Sequence, residues 1–398
     1  MPIASLAKAT GMSIIAWRPA IVRGTSYTPR GQAVTPYLAD IATSYTHTIK
    51  ANGGWWSATL SITGNRRDIE EWYEKGLGRH IEVRNPEGIL IWAGFVDSIA
   101  IEIGTLSATA GPLMEVANRV SVIYTPILDA TTMLTGATTV TTVIDDTDSQ
   151  DRYGILEEVI SGGELLDDGV TDDAVKYQET YLAEHRWPST SERLSIGSGR
   201  QARATLNLKG YVHFFQRYVA DTATMATCSV YVKLTDALGD DPNGLFSTDY
   251  SHMTVTPWLV SRNEEKERNA WVVINEMVNL GNAADERFTF GVYEDQLFYY
   301  GAAPDTVKYQ HRLGQTAVRI EDYGRGSAVD PWDVRPGEWV FLSDFLAGLI
   351  GTRDTPFRTD HRYIFAEEVI FTAPFGVEVI GDIYATLPQW LAKKGLSA

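Results

Sequence analysis

The stretch of residues 53–104 constrains the fold most, because short apolar alternations are separated there by closely spaced turn signals. Ala58, Leu60 and Ile62 alternate with Ser and Thr, which is the two-residue period of a strand with one buried face. Asn65 then stands where it can cap a short helix. Short strands closed by tight turns, with one small helix, are typical of a β-barrel or β-sandwich.

The helix predicted after Asn65 has one apolar face. Ile69, Trp72 and Tyr73 fall at positions i, i+3 and i+4 and therefore share that face. Gly76 stands where a left-handed C-cap is expected. We expect Trp72 to point into the core, because a large aromatic side chain contributes most when it is buried.

A hairpin is predicted next. Its first strand carries Ile81 and Val83, and Asn85 opens the type I turn Asn-Pro-Glu-Gly. Gly94, in the return strand, is expected to mark a bulge. The predicted core, which would also support assembly, consists of Leu60, Ile62, Trp72, Ile81, Val83, Trp92, Val96, Ile99 and Ile101.

Other parts of the chain also follow a strand pattern. Strands are predicted at 14–18, 37–41, 45–51, 211–219, 228–234, 271–275, 288–293, 296–300, 339–342, 364–372 and 377–380. Between them, residues 155–160 follow a helical period that Gly162 and Gly163 end. A second helix is predicted at 172–184, with Ala174, Tyr177 and Tyr181 along one side.

These patterns predict a mainly β fold of barrels or sandwiches, with a short α-helical linker region and an inserted β domain. The predicted division is a β-barrel at 1–128, a helical linker at 129–189, an inserted β-rich domain at 190–330, and closing strands of a second barrel-like domain at 331–398. Residues 78–103 and 337–380 share a strand order that an ancestral duplication would produce.

Composition excludes several classes of protein. The net charge of -17 opposes a sequence-independent grip on nucleic acid, which needs clustered Lys and Arg. That charge fits either an acidic surface that resists aggregation or an acidic channel wall that DNA passes without sticking.

A single cysteine, Cys228, cannot form an intrachain disulfide. The N-terminus does not have the pattern of a secretory signal, and no run of apolar residues is long enough to span a membrane.

No catalytic signature stands out. The seven histidines are scattered, and the chain has no phosphate-binding glycine motif and no nucleophile elbow. The acidic run Asp145, Asp146, Asp148 and Asp151 lacks the glycine and the spaced glutamate of a calcium loop, so capping of a helix by Asp148 or Ser149 is favoured. We therefore expect no enzymatic activity, no cofactor and no metal.

Four tryptophans admit two interpretations. Trp55, Trp56, Trp72 and Trp92 would suit a sugar-stacking platform or a buried core. The core is favoured, because Trp72 and Trp92 lie on the apolar faces of their elements.

The order of motifs in residues 53–104 resembles the first barrel of phage baseplate hub proteins, which join the tail tube to the central spike or fibre. The matching elements are an alternating strand, a helix with an inward Trp72, a strand beginning near Gly78, the Asn-Pro-Glu-Gly turn and the return strand from Trp92. The segment 148–154 resembles the turn that follows this barrel, and 330–381 resembles its closing strands. These parts cover about half of the chain, while residues 190–330 resemble nothing known to us.

The resemblance implies a tail-tube-like fold and a structural role at the tail tip of the virion. It implies a homo-oligomer, with a trimer expected and a hexamer open, made in the host cytoplasm. The implied partners are the tail tube protein, the tape-measure protein and a spike or fibre protein. Genomic DNA would pass through without specific binding.

Two alternatives remain open from the sequence. The first is a distal tail protein, which forms a hexameric ring. The second is a carbohydrate-binding receptor-recognition protein that uses the block at 190–330.

Overall fold

A computed structural model of the chain describes residues 5–18, 33–35, 38–168, 172–194, 200–220, 227–261, 268–280, 287–304, 306–313, 318–342, 363–374 and 376–384. Its helices are α1 (Leu6–Thr10), α2 (Arg66–Lys75), α3 (Thr147–Tyr153), α4 (Asp173–His185), α5 (Val230–Gly239) and α6 (Ala270–Leu280).

The strands that precede α4 are β1 (Ser13–Trp17), β2 (Ala33–Thr35), β3 (Ala42–Lys50), β4 (Asn52–Thr63), β5 (His80–Arg84), β6 (Leu90–Gly104), β7 (Leu106–Ala110), β8 (Arg119–Asp129), β9 (Leu134–Thr135), β10 (Thr139–Val140), β11 (Ile144–Asp145) and β12 (Glu157–Leu166). The later strands are β13 (Thr190–Leu194), β14 (Arg200–Lys209), β15 (Thr227–Ser229), β16 (Leu259–Ser261), β17 (Phe288–Val292), β18 (Phe298–Ala302), β19 (Val307–Leu313), β20 (Val318–Asp322), β21 (Trp339–Leu342), β22 (Tyr363–Phe365), β23 (Glu368–Thr372), β24 (Gly376–Ile380) and β25 (Ile383–Tyr384).

The fold is mainly β, as the sequence predicts. The largest sheet has 13 strands and runs in the order β2-β1-β5-β6-β14-β4-β3-β23-β24, with β7 and β13 beside β6 and with β17 and β18 beside β4. Ile14 of β1 and Phe371 of β23 belong to the same apolar core, although these strands lie near opposite ends of the order. The sheet therefore curls around one core, as a barrel does.

Alternation along β4 explains which side faces this core. Ala58, Leu60 and Ile62 are buried, while the Ser and Thr residues between them point away. Opposite them in β14 lie Leu208, Leu206 and Ala204 in register, and all three are buried. Burial of each leucine side chain contributes about 1.5–3 kcal/mol.

The predicted helix is α2. The side chain of Asn65 accepts a hydrogen bond from the backbone N–H of Asp68 and caps it as expected. The predicted left-handed cap at Gly76 is wrong, because Gly76 has φ of -81°. A Cβ at Gly76 would lie 2.3 Å from the carbonyl oxygen of Trp72, so the residue is small because the backbone packs closely there.

The predicted hairpin is formed by β5 and β6. The backbone N–H of Gly88 donates to the carbonyl of Asn85 at 2.9 Å and closes the turn. Gly94 does not mark a bulge, since it pairs regularly with Ile81 and the register shifts between Val83 and Arg84 instead. Ile99 and Ile101 belong to the same long strand, β6, rather than to a separate strand.

A smaller sheet is built around β8. The short strands β9, β10 and β11 pair antiparallel along one side of it, and β12 pairs parallel along the other. The helix predicted at 155–160 is wrong, because residues 157–160 begin β12 and pair with β8, with a register shift between Ser161 and Gly163. The β-branched Val159 and Ile160 favour this strand. The helix predicted at 172–184 is confirmed as α4, which buries Ala174 and Gln178 and leaves Tyr177 exposed.

A second apolar core lies beside the barrel and contains α5, α6, β17 and β18. Three predicted strands are wrong here. Residues 211–216 form a 3-10 helix, 230–234 begin α5, and 271–275 lie in α6. The strand predicted at 37–41 is also wrong, because 38–40 form a 3-10 helix. The predictions at 288–293 and 296–300 are confirmed by β17 and β18.

The sheet topology crosses the predicted divisions of the chain. The range 190–330 supplies β13, β14, β17 and β18 to the largest sheet, and the range 331–398 supplies β23 and β24 to it. A separate five-stranded sheet runs in the order β20-β19-β21-β22-β25. The range 129–189 contains β9 to β12 as well as α3 and α4, so it is a mixed unit rather than a helical connection.

Candidate functional site

The nine residues predicted for the barrel core lie together in one apolar cluster. Each is at most 4% exposed: Leu60, Ile62, Trp72, Ile81, Val83, Trp92, Val96, Ile99 and Ile101. Buried side chains offer no surface to another subunit. They can support assembly only by holding the strands in the geometry that an interface needs.

Three of the four tryptophans are core residues. Trp55, Trp72 and Trp92 are each at most 4% exposed, so they do not form a sugar-stacking platform. Trp56 is half-buried, with the Lys50 ammonium 4.3 Å from its ring centroid and the His213 ring 4.3 Å away. Burial and the nearby Lys209 charge lower the pKa of His213 to about 3, so this ring is neutral in the fold.

Four strands of the largest sheet pair with one neighbouring strand only, within the part of the chain that the structure describes: β2, β13, β18 and β24. β13 pairs with β7, and β24 pairs with β23. All five side chains of β13 are exposed, and Leu194 is 76% exposed. In β24, Ile380 is 42% exposed. An unpaired edge carries backbone donors and acceptors that can pair with another chain.

The far end of β8 carries exposed apolar side chains. Leu128, Met133 and Leu134 are 46%, 58% and 59% exposed. β12, along the side of this sheet, pairs with β8 alone among the described residues. Exposed apolar groups and open strand edges are each typical of surfaces that contact another protein.

A buried polar row ties the 3-10 helix at 211–216 to β5. The hydroxyl of Tyr211 lies 2.8 Å from Nδ1 of His80, and Nε2 of His80 lies 3.3 Å from Oε1 of Glu82. The residues are 3%, 2% and 1% exposed. A tyrosine, a histidine and a carboxylate in a row can transfer protons, but a solvent-borne substrate cannot reach groups this deeply buried. The row therefore acts as a structural tie.

The acidic run at 145–151 is engaged in structural contacts. Asp145 accepts from Arg119 at 2.8 Å, and Asp146 pairs with Arg186 at 3.0 Å. The predicted cap at Asp148 or Ser149 is wrong, because Asp146, two residues before Asp148, caps α3 by accepting a hydrogen bond from the backbone N–H of Ser149. Among the residues that the structure describes, no group of three or more His, Cys, Asp or Glu is arranged as a metal site. No helix within the described ranges is long and apolar enough to cross a membrane.

A cavity of about 280 Å³ lies against the β17–β18 hairpin. Phe288, Phe290 and Val292 point into the second core, so Thr289 and Gly291 face the other side, where the cavity lies. Burial and the nearby carboxylate of Glu294 raise the pKa of Tyr299, a wall residue, to about 12.

Sequence reasoning did not predict this cavity. The alternation in 288–293 shows which side chains share a face, and Gly291 stands out in it as a missing side chain. Gly301 is a second missing side chain, in β18. The other walls come from His252 and Pro336, which only the tertiary fold brings to the hairpin.

Comparisons with known proteins give limited similarity. No protein-family model matches the chain, and no curated protein matches it. Among solved structures, it is similar to the tail protein from Neisseria meningitidis MC58, with a TM-score of 0.38 and 9% identity over 92% of this chain and 94% of that chain. It is also similar to the 43 kDa tail protein of prophage MuSo2 from Shewanella oneidensis, with a TM-score of 0.35 and 8% identity over 95% of this chain and 99% of that chain. Neither TM-score is high enough to carry a function from those proteins to this chain.

Proposed function

We propose that this chain is a non-catalytic structural component of a bacteriophage tail. Within the tail it would be a hub at the tip, joining the tail tube to the central spike or fibre and framing the DNA exit channel. Its partners would then be the tube protein, the tape-measure protein and the spike or fibre protein.

The observation that carries the proposal is a curled sheet with open strand edges. The order of elements in 53–104 that resembles the hub barrel is built as a strand, a capped helix and a hairpin around one core. β13 and β24 leave backbone groups available at two places on the same sheet. A rigid subunit with open strand edges is suited to form a ring with copies of itself.

The charge of the chain supports the same function. A net charge of -17 repels the phosphate backbone, so a channel framed by such subunits would let genomic DNA pass without specific binding. A basic protein in this position would bind the DNA, because its Lys and Arg side chains would release counterions from the phosphate backbone.

The oligomeric state distinguishes the hub from the distal tail protein. The hub proteins that the sequence resembles imply a trimer at the end of a sixfold tube. Native mass spectrometry of the purified chain should show trimers. A hexamer would instead support the distal tail protein.

The position in the particle needs its own experiment. Virions that carry an epitope tag on this chain, labelled with gold-conjugated antibody, should show label at the tail tip by electron microscopy. Label along the tube, on the capsid or absent from purified virions would contradict the proposal.

A further inference from the structure

We propose that the cavity on the β17–β18 hairpin is a binding site for a neutral sugar ring. This inference does not depend on the tail function, because it rests on the walls of the cavity alone. In a tail protein, such a site would give the particle a contact with host surface saccharide.

The floor of the cavity is bare backbone. β17 and β18 pair Gly291 with Tyr299 and Thr289 with Gly301, so each strand contributes one glycine to the side that faces the cavity. A Cβ at Gly301 would meet only Oγ1 of Thr254, at 3.4 Å. The missing side chain at Gly301 therefore leaves space, and a ligand can approach β18 closely there. At Gly291 the space is already filled, because a Cβ would lie 2.5 Å from the Tyr293 ring and 2.9 Å from Cα of Gly54.

The walls combine aromatic rings with hydroxyl groups. The rings of His252 and Tyr299 lie 4.5 Å apart, and Tyr293 meets Tyr299 edge-on with centroids 5.3 Å apart. Thr254 and Thr289 add two hydroxyls to the lining. Aromatic faces accept the C–H faces of a pyranose, while hydroxyls can donate to and accept from its hydroxyls.

The charge of the lining favours an uncharged ligand. None of the residues that line the cavity is Asp, Glu, Lys or Arg. The carboxylate of Glu294, beside the cavity, accepts a hydrogen bond from the Tyr299 hydroxyl at 3.1 Å. An ion that lost its hydration here would find no Asp, Glu, Lys or Arg among the lining residues to compensate for that loss. A neutral hydroxylated ring avoids this penalty.

The volume limits the size of the ligand. About 280 Å³ is at the small end of the range for ligand pockets, which is roughly 300–1,000 Å³. The cavity therefore suits one or two sugar rings, with the rest of a longer saccharide outside. An open site of this size should bind a monosaccharide with Kd on the order of 1 mM.

The test is saturation-transfer difference NMR with the purified full chain. The probes are the methyl glycosides of glucose, galactose, mannose and N-acetylglucosamine, with glucuronic acid as a charged comparison. We expect saturation transfer to at least one neutral sugar and weaker transfer to glucuronic acid. Absence of transfer to all four neutral sugars overturns the proposal, as does a preference for glucuronic acid.

Two variants locate the binding. Gly301→Val fills the floor, and valine favours a strand, so the fold should persist while affinity falls by roughly tenfold or more. Tyr299→Ala should cause a comparable loss, whereas Tyr299→Phe keeps the ring and should retain most of the affinity.

Gly376→Val in β24 is the matched control, because it makes the same substitution in another strand. Thermal melting of each variant checks that it is folded. Equal binding by wild type and Gly301→Val would overturn the assignment to this cavity.

Discussion

Gly76 and Gly94 both lie where another part of the backbone comes within contact distance. A Cβ at Gly94 would lie 2.2 Å from the carbonyl oxygen of Lys209 in β14, and one at Gly76 would lie 2.3 Å from that of Trp72. Neither glycine is among the residues with positive φ. The predictions of a cap and a bulge were wrong because they assigned to backbone conformation what belongs to close packing.

At the residue scale, Gly94→Ala should destabilise the protein. The added methyl forces β6 and β14 apart or strains their side chains, which costs about 1–3 kcal/mol. Urea unfolding followed by tryptophan fluorescence measures this loss in the free energy of unfolding.

Gly239→Ala is the control, since nothing lies within 4 Å of its Cβ position at the end of α5. It should change the free energy of unfolding by no more than about 1 kcal/mol, in the stabilising direction. Equal destabilisation by both variants would show that close packing at Gly94 is not the cause.

The buried histidines make the stability of the barrel depend on pH. His47 is 2% exposed, and its ring stacks on Phe371 with centroids 5.1 Å apart. Burial, together with the charge of Arg335, lowers the pKa of His47 to about 3. The unfolded chain has a histidine pKa of about 6.5. The stability linked to neutral His47 is therefore present above about pH 6.5 and is lost as the pH falls toward 3.

His47→Phe should reduce this dependence. Between about pH 6 and pH 4, the slope of the free energy of unfolding against pH should fall by about 1.4 kcal/mol per pH unit relative to wild type. The pKa of His213 is lowered in the same way, so His213 still makes the free energy of unfolding of the variant depend on pH. Urea titrations at several pH values test this, and parallel curves for the two proteins would refute it.

At the scale of elements, the helices α5 and α6 were mistaken for strands. Their first residues are β-branched or aromatic, which favours strand in a short window. Over a longer window α6 buries Val273, Ile274, Met277 and Val278, which is the spacing of one helix face. The sequence also contains residues that signal the start of each helix. Ser229 caps α5, and the side chain of Asn269 accepts a hydrogen bond from the backbone N–H of Val272 in α6.

The cap of α4 gives a prediction at this scale. The Asp172 side chain accepts from the backbone N–H of Val175 at 3.0 Å, so Asp172→Ala should lower the free energy of unfolding by about 1 kcal/mol. Asp173→Ala removes a neighbouring carboxylate whose ion pair with Lys176 is exposed, and this should cost about 0.5 kcal/mol or less. Chemical denaturation of both variants measures the difference, and reversed magnitudes would contradict the capping role.

At the scale of the whole molecule, the largest sheet collects strands from distant parts of the chain. β14 lies between β4 and β6, although about a hundred residues separate it from β6, and β23 pairs with β3 from near the opposite end of the chain. Strand patterns identify segments that can pair but do not identify their partners. The predicted domain divisions therefore grouped strands that are close in sequence, whereas the sheet pairs strands that are far apart in sequence.

The open edges give a prediction for assembly. Leu194→Lys in β13 and Ile380→Lys in β24 place a charge on each edge, where lysine opposes strand pairing between chains. Both should shift the purified chain from oligomer to monomer in size-exclusion chromatography with light scattering. The free energy of unfolding of the monomer should change by about 0.5 kcal/mol or less, because both side chains are exposed.

Val255→Lys is the matched control, since Val255 is 71% exposed and lies outside both edges. It should leave the oligomer intact. If all three variants assemble like wild type, the edges of β13 and β24 are not the contacts between subunits.

The local features were predictable from the sequence: the alternation of β4, the Asn65 cap, the turn at Asn85 and the identity of the nine core residues. These depend on neighbours within a few positions, whose interactions are encoded by periodicity and by backbone preference. The tertiary fold alone sets the order of strands, the close approach of Lys209 to Gly94, and the cavity between β17, β18, His252 and Pro336. Those features require segments far apart in the chain to come into contact, and no local sequence pattern predicts which segments will do so.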